Sequence, residues 1–436
     1  MNNQARKKVA FHTLGCKLNF AETSTMSKLF PEKQFEKVPA SQPADIYVIN
    51  TCSVTDAADK KCRQAIKRFI HLSPEAFIAV VGCYAQLRPQ EISSIHGVDL
   101  VLGTNEKFDI AGYMSRLEKR PSAEIHSSTL SEKDHFNHSW SAGDRTRSFL
   151  KVQDGCDYGC SYCTVPIARG RSRNADIASL TAEAREIASR SVKEIVLTGV
   201  NIGDFGKSTG ETFTQLIREL LQVSGIERYR ISSIEPNLLT DELIEMTSQN
   251  RKIVPHFHIP LQSGCNRILG MMRRRYRREI FADRVEKIKQ AIPMAGIGAD
   301  VIVGFPGEIE ADFNETYSFI SNLELTYLHI FTFSARPGTA AWDMPDSVSR
   351  QEKERRSSEL INLSGSKHRE FMKKNTGHEA EVLFEKSRAD GMITGFTGNY
   401  LRVEYPWQSK LAGQIRKVKM RDISPSGRMT IDLIDR

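Results

Sequence analysis

The chain has 436 residues, with 61 Lys and Arg against 53 Asp and Glu, a net charge of +8, and 8 cysteines. That length exceeds the roughly 250–300 residues at which single cores stop growing, so two to four domains are expected. A composition of 40% hydrophobic and 26% charged residues excludes a disordered chain, and no apolar run approaches the roughly 18 residues of a membrane helix. The start, MNNQARKKVAFHTLG, carries basic residues but only a strand-length apolar stretch, which does not suit a secretory leader. We therefore expect a cytoplasmic protein with reduced cysteines, in which clustered spacing means metal or catalysis rather than disulfides. The mild positive balance is compatible with a nucleic-acid partner without establishing one.

In chain order, VAFHTLG, DIYVINT, FIAVVG and VDLVLG read as buried strands, β-branched and closed by small residues. Helical apolar spacing lies between them, as in AETSTMSKLF and AADKKCRQAIKRFI. This alternation over residues 1–120 predicts an open parallel sheet covered on both faces. Residues 121–144 are polar and lack periodicity, and read as a linker. From Phe149 the alternation restarts with six strand candidates, FLKVQDG, EIVLTGV, YRISSI, HFHIPL, ADVIVGF and LHIFTF. Six βα units over residues 145–374 predict a complete or partial barrel, here a (β/α)6 barrel of TIM-like type, with functional loops after the strands. The charged helix SRQEKERRSSELINLSGSKHREFMKK closes that domain. Short strands split by Gly, Asn and Pro over 375–436 predict a small antiparallel β-barrel. The fold class is thus α/β with a terminal all-β module.

Cys156, Cys160 and Cys163 lie within eight residues, in DGCDYGCSYCTVP, just after the first strand of the central domain. Structural zinc takes four ligands, and no fourth Cys or His follows nearby. Three thiolates instead leave one iron of a four-iron cluster open to a substrate. Cys16, Cys52 and Cys83 are far apart in sequence, but HTLGC, YVINTC and AVVGC each place the cysteine just past a strand. Loops after strand ends share one edge of a parallel sheet, so these three converge on one site, as a second cluster with one open iron or as three buried structural cysteines. Cys62, mid-helix, and Cys265, after a turn, read as bystanders.

The CxxxCxxC spacing after the first strand of a βα barrel resembles the radical S-adenosylmethionine superfamily. With the amino-terminal three-cysteine domain and the terminal β-barrel, the whole chain resembles the radical methylthiotransferases. CTVPIARGRSRN, LTGVNIGDFG, RISSIEPNLL, HFHIPLQSG, MRRRYRREIF and DVIVGFPGE carry the similarity. It implies two [4Fe-4S] clusters and S-adenosyl-L-methionine. The cluster on Cys156, Cys160 and Cys163 would generate a 5′-deoxyadenosyl radical, and that on Cys16, Cys52 and Cys83 would present the sulfur. HTLGCKLNFAET, with Lys17, Leu18 and Asn19 after the first cysteine, resembles the branch acting on N6-threonylcarbamoyladenosine beside the tRNA anticodon. The isopentenyladenosine and ribosomal-protein branches are the alternatives. A zinc-stabilised RNA-binding protein without catalysis is the rival of another class, and it leaves the six βα units unexplained.

By the same resemblance, Tyr162, Gly199, Asn201, Ser233, Glu235, His258, Gln262, Ile302 and Gly304 are candidates for binding S-adenosylmethionine. The terminal barrel resembles the OB-like TRAM module. Its YPWQSKLAGQIRKVKMR stretch has five basic residues and no acid, suited to phosphates and unpaired bases. Candidate RNA contacts are Trp407, Lys417 and Lys419 there, with Arg169, Arg171, Arg273 and Arg274 in two further basic segments. The expected partners are a tRNA anticodon stem-loop and a low-potential, flavodoxin- or ferredoxin-like electron donor, with neither membrane nor DNA.

Overall fold

A computed structural model describes residues 6–131, 135–141, 146–345 and 348–434. The apolar segments of the first 126 residues form one sheet of strands β1 (Lys7–Thr13), β2 (Phe35–Val38), β3 (Ile46–Thr51), β4 (Phe77–Gly82), β5 (Leu100–Leu102) and β6 (Glu124–His126). Their order is β2-β1-β3-β4-β5-β6 and every pairing is parallel. β3 and β4 are buried at every residue, as continuous apolar strands between two helical layers must be. Helices α1 (Lys17–Lys28), α2 (Asp56–Leu72), α3 (Cys83–Leu87) and α4 (Pro89–Ser93) connect them. In α2, Thr55 caps the start by accepting from the Ala58 amide, and Cys62, Ile66 and Phe69 form the buried stripe.

Two of these strands, β2 and β6, lie where the sequence gives no strand signal. β6 falls inside the stretch read as a linker, and Trp140 further along is buried, bridging Leu150 with the Lys28 ammonium 3.2 Å over its ring. Residues 132–134 and 142–145 fall outside the described set.

The chain divides into two compact units. The first joins this sheet to Phe149–Asn174 and Ser334–Trp342. It therefore includes β7 (Ser148–Lys151) from Phe149 onward, β8 (Gln153–Asp154), α5 (Val165–Arg169) and β9 (Arg173–Asn174). The 145–374 boundary drawn from sequence would separate this segment from the sheet. Buried ion pairs between the segment and α1 explain why it groups with the sheet instead.

The second unit holds α6 (Ile177–Ser189), β10 (Glu194–Thr198), α7 (Phe213–Leu221), β11 (Arg228–Ile231), α8 (Asp241–Gln249) and β12 (His256–His258). It continues through α9 (Asn266–Met271), α10 (Arg278–Ala291), β13 (Gly296–Val303), α11 (Glu310–Ser321), β14 (Tyr327–Thr332) and α12 (Arg350–Asn375). β10 pairs β11, and β12-β13-β14 form a second parallel set. Parallel bridges Tyr229–Ile253 and Ser233–His258 join the two sets into an arc in chain order, the strand order of a (β/α) barrel. Strands β15 (Glu379–Ala389), β16 (Met392–Thr397), β17 (Arg402–Pro406), β18 (Ile415–Ile423) and β19 (Met429–Leu433) close a terminal barrel in the order β15-β16-β17-β19-β18. It is not purely antiparallel, because β17 and β19 run parallel.

Candidate active site

The strand order places β1 and β3 side by side although β2 intervenes in sequence, so the connections leave this point of the sheet in opposite directions. Ligands of open α/β sheets bind at such switch points, beyond the carboxyl ends of the strands. Cys16 follows β1, Cys52 follows β3 and Cys83 follows the adjacent β4. Cys16 is the N-cap of α1 and Cys83 opens α3, where backbone N–H groups favour a thiolate. The turns carrying Cys16 and Cys52 touch. A Cβ on Gly15, which has φ +103°, would lie 2.5 Å from Cys52 Cβ and 3.0 Å from its Sγ. Burial, followed by the neighbouring Cys83 and Cys16, pushes the Cys52 thiol up to about 12. The Cys16 and Cys52 turns thus meet at this edge, with Cys83 at the end of the neighbouring strand.

The second triple lies in the loop between β8 and α5. The Tyr158 amide donates to Cys156 Sγ at 3.3 Å and the Val165 amide to Cys163 Sγ at 3.4 Å, so two sulfurs already accept backbone hydrogen bonds. The Cys156 amide donates to the Gly170 carbonyl, and a Cβ on Gly155 (φ +68°) would come within 1.9 Å of the Arg171 carbonyl oxygen. Only glycine permits that approach. Further bonds hold the loop within the first unit: Thr164 Oγ1 to the Ser53 carbonyl, Thr104 Oγ1 to the Ala168 carbonyl, and the Ala341 amide to the Ser161 carbonyl. Arg336 donates to Ser53 Oγ at 2.8 Å and pairs with the buried Asp59.

A buried charge network that sequence inspection did not single out lies beside both triples. Glu22 of α1 pairs with Lys107, Lys151 and Arg169, while Asp154 pairs with Lys151, Arg169 and Arg173. Burial would raise the Glu22 carboxyl, but Arg169, Lys107 and Lys151 hold it down to about 2. Four cations face two carboxylates, a surplus of two positive charges away from water. A buried surplus needs an anion nearby. Burial holds the Cys83 thiol above its ordinary value against the opposing pull of Arg169 and Lys107, and Arg169 bonds Asn19, whose amide oxygen lies 3.8 Å from Cys16 Sγ. Three cysteines gathered at one edge of the sheet, beside buried cations, fit an anionic iron–sulfur cluster. The only sequence clue was an acid in a helix whose Leu18, Ala21 and Met26 are buried.

Cys62 is buried in α2 with its thiol donating to the Cys52 carbonyl at 3.3 Å, and Cys265 donates to Asp312. Burial first raises both thiols, to about 11, as it raises Cys52, so what sets them apart is that each thiol is already engaged as a hydrogen-bond donor.

The candidate cofactor contacts lie at successive strand ends. Gly199 and Asn201 follow β10, Ser233 and Glu235 follow β11, His258 ends β12 with Gln262 beyond it, and Ile302 and Gly304 mark the end of β13. Backbone bonds bring these ends together: Ile234 N to the His258 carbonyl, Gln262 N to the Asp300 carbonyl, and Ile302 N to the Gln262 carbonyl. Gln262 has φ +66°, a rare conformation for a residue with a side chain. Burial raises the Glu235 carboxyl against the opposing pull of its partner Arg274. His258 Nε2 meets Asp300 at 3.0 Å and His329 Nδ1 meets it at 3.3 Å. Among the described residues, only this trio brings three metal-ligand atoms within 4.8 Å of one another. Neither cysteine triple therefore has the spacing of a single-ion site. Tyr162 lies in the first unit, in the Cys160–Cys163 loop.

Two of the expected RNA contacts need correction. Arg169 is 3% exposed and consumed by Glu22, Asp154 and Asn19, and the Arg274 side chain is equally buried against Glu235. Arg173, which alternates with Arg169 and Arg171, is also buried, so the three do not share an open face. Arg171 and Arg273 are exposed. On the terminal barrel Lys417 and Lys419 point outward from β18, opposite Glu381 and Glu379 of β15. Trp407 is half-buried against the barrel core.

The chain matches the family described as "Uncharacterized protein family UPF0004" over residues 8–103 and the "Radical SAM superfamily" over residues 150–320. It is 42% identical to the threonylcarbamoyladenosine tRNA methylthiotransferase MtaB of Bacillus subtilis (strain 168), over 94% of this chain and 93% of that one. The Aquifex aeolicus (strain VF5) protein of the same name is 38% identical, over 91% and 96%. A tRNA-2-methylthio-N(6)-dimethylallyladenosine synthase of Syntrophotalea carbinolica is 30% identical, over 95% and 97%. Among solved structures, the radical S-adenosylmethionine methyltransferase TsrM of Kitasatospora setae superposes with a TM-score of 0.54 at 13% identity, covering 89% of this chain and 80% of that one. That likeness is one of fold. With both domain matches and full-length relatives in agreement, the chain belongs to the radical S-adenosylmethionine methylthiotransferase family.

Proposed function

We propose that the chain transfers a methylthio group to C2 of N6-threonylcarbamoyladenosine in tRNA. The observation that carries this is the convergence of Cys16, Cys52 and Cys83 at the sheet's switch point. It occurs in a chain 42% identical, over 94% of its length, to a threonylcarbamoyladenosine tRNA methylthiotransferase. Two [4Fe-4S] clusters and S-adenosylmethionine, when bound, supply one-electron chemistry and the sulfur group.

The remaining work falls to side chains. Cys156, Cys160 and Cys163 hold the radical-generating cluster, with the Tyr158 and Val165 amides steadying two of the thiolates. Cys16, Cys52 and Cys83 hold the auxiliary cluster. Tyr162, Gly199, Asn201, Ser233, Glu235, His258, Gln262, Ile302 and Gly304 are assigned to the cofactor. The Glu235–Arg274 pair and the φ +66° of Gln262 support that assignment, since a buried ion pair and backbone strain at strand ends mark binding positions. The terminal barrel takes the role of an RNA-binding module. Lys417, Lys419, Arg171 and Arg273 serve as phosphate contacts and Trp407 as a partly exposed aromatic. The one-electron donor is assigned to the low-potential flavodoxin or ferredoxin class.

Nucleoside mass spectrometry of tRNA from a strain lacking the gene tests the substrate. The methylthio group should vanish from the threonylcarbamoyl nucleoside alone. Its loss from the dimethylallyl nucleoside instead, or an unchanged profile, refutes the assignment.

A further inference from the structure

The network around Glu22 has a direct structural link to the auxiliary cysteines. Arg169 Nη2 donates to Asn19 Oδ1 at 2.7 Å, while its Nη1 reaches Glu22 at 3.0 Å and Asp154 at 2.9 Å. Asn19 passes the constraint on. Its Nδ2 donates to the Leu14 carbonyl at 2.8 Å and to the Thr51 carbonyl at 3.0 Å, and its Oδ1 lies 3.8 Å from Cys16 Sγ. Leu14 begins the turn to Cys16, and Thr51 immediately precedes Cys52. One amide side chain therefore clamps two of the three cysteine turns, and one guanidinium fixes that amide. Arg169 is the last residue of α5, six positions beyond Cys163. The loop proposed for the radical-generating cluster thus carries the residue that braces the other site.

Charge points the same way. Lys107 is fully buried against Glu22 at 2.6 Å, and Glu22 also holds Arg169, whose other nitrogen bonds the Asn19 amide oxygen that lies 3.8 Å from Cys16 Sγ. Positive charge fixed beside an iron–sulfur cluster favours its reduced, more negative form, and net charge and hydrogen bonding set such potentials. Burial makes the effect stronger than any surface lysine could supply.

We propose that Arg169 is the positioning residue of the auxiliary cluster: through Asn19 it holds the Cys16 and Cys52 turns, and with Lys107 it keeps that cluster's potential high. The proposal rests on the two-cluster reading above. It makes the two cysteine sites interdependent, because the brace of one leaves from the loop of the other. Arg169 has two separable roles, geometry through the fork to Asn19 and Glu22, and charge shared with Lys107.

The test uses the full reconstituted protein and the variants Lys107→Met, Asn19→Ala, Arg169→Lys and Arg169→Met. Two readouts are needed, potentiometric EPR titration and the rate of iron loss to a chelator, with the auxiliary signal assigned by its absence in Cys52→Ser. Lys107→Met removes charge while Glu22 keeps Arg169 and Lys151, so it should shift the auxiliary reduction equilibrium about tenfold towards the oxidised form, about 59 mV for one electron. The radical-cluster signal should stay put. Asn19→Ala removes only the clamp, and should speed auxiliary iron loss at least tenfold with a smaller change in potential. Arg169→Lys keeps charge without the fork and should resemble Asn19→Ala, whereas Arg169→Met should show both defects. Potentials and iron loss unchanged across all four variants overturn the proposal, as does an equal effect on both clusters. A wild-type chain that assembles only one cluster overturns the two-cluster reading itself, before any variant is compared.

Discussion

Replacing Arg230 with Met should loosen the terminal barrel's turn from the second unit's core, by an amount its contacts define. The Arg230 guanidinium meets Glu194 at 2.8 Å and donates to the Gly398 carbonyl at 2.9 Å and the Thr397 carbonyl at 3.2 Å. It also lies 4.8 Å from the ring centre of Tyr400. Both charged partners are at most 2% exposed. Removing one member of a buried pair typically costs about 3–5 kcal/mol, because the other charge is left without compensation. Arg228 and Arg147, at 3.9 and 4.0 Å from Glu194, soften the loss, so the low end of about 3 kcal/mol is expected. Urea denaturation should read it as a lower midpoint at unchanged slope, and hydrogen exchange should show deprotection at residues 396–400.

Acid dependence supplies an independent check. Burial would raise the Glu194 carboxyl, but Arg230 and Arg147 hold it below its ordinary 4.5. A depressed carboxylate contributes stability that is present above its unfolded value and lost as pH falls through the folded one. Arg230→Met should therefore flatten the loss of stability below pH 4.5. A destabilisation under about 1 kcal/mol, with the acid slope retained, would refute the assignment of this pair as the lock on the turn.

Gly155→Ala should abolish assembly of the cluster on Cys156, Cys160 and Cys163, since its Cβ would fall 1.9 Å from a carbonyl oxygen at φ +68°; iron and sulfide analysis should find about half the wild-type content. Lys417→Glu with Lys419→Glu should weaken tRNA binding and reduce its salt slope by about one per lysine removed, while cofactor cleavage stays intact; filter binding at several salt concentrations reads this. Burial, aided by Arg68, lowers the His12 imidazole, so stability is complete above 6.5 and falls as pH drops through the folded value. His12→Phe should flatten the loss of thermal stability as pH falls below about 6.5, seen by calorimetry.

The cysteine logic was legible in sequence because strand ends are legible. HTLGC, YVINTC and AVVGC each show an apolar run stopping at a small or polar residue, and parallel topology does the rest. The five strands of the second unit's arc, β10 to β14, follow for the same reason. β2 was missed because FEKV is too short and too charged to show a period, and β6 because EIH is a three-residue edge strand. Arg169 and Arg274 were misread because basic side chains are ordinarily exposed. Long-range acids, Glu22 147 residues away and Glu235 39 residues away, help to draw them inside. No local pattern encodes such a pair. Grouping Phe149–Asn174 with the amino-terminal sheet has the same origin, since the buried contacts that decide it come from distant segments.

The most direct test is nucleoside mass spectrometry after anaerobic reaction of the reconstituted protein with S-adenosylmethionine, a reductant and two tRNAs, one carrying N6-threonylcarbamoyladenosine and one N6-dimethylallyladenosine. The expected result is a 2-methylthio product on the threonylcarbamoyl nucleoside only, lost in Cys52→Ser as well as in Cys160→Ser. A product on the dimethylallyl nucleoside, or one that survives Cys52→Ser, would contradict it.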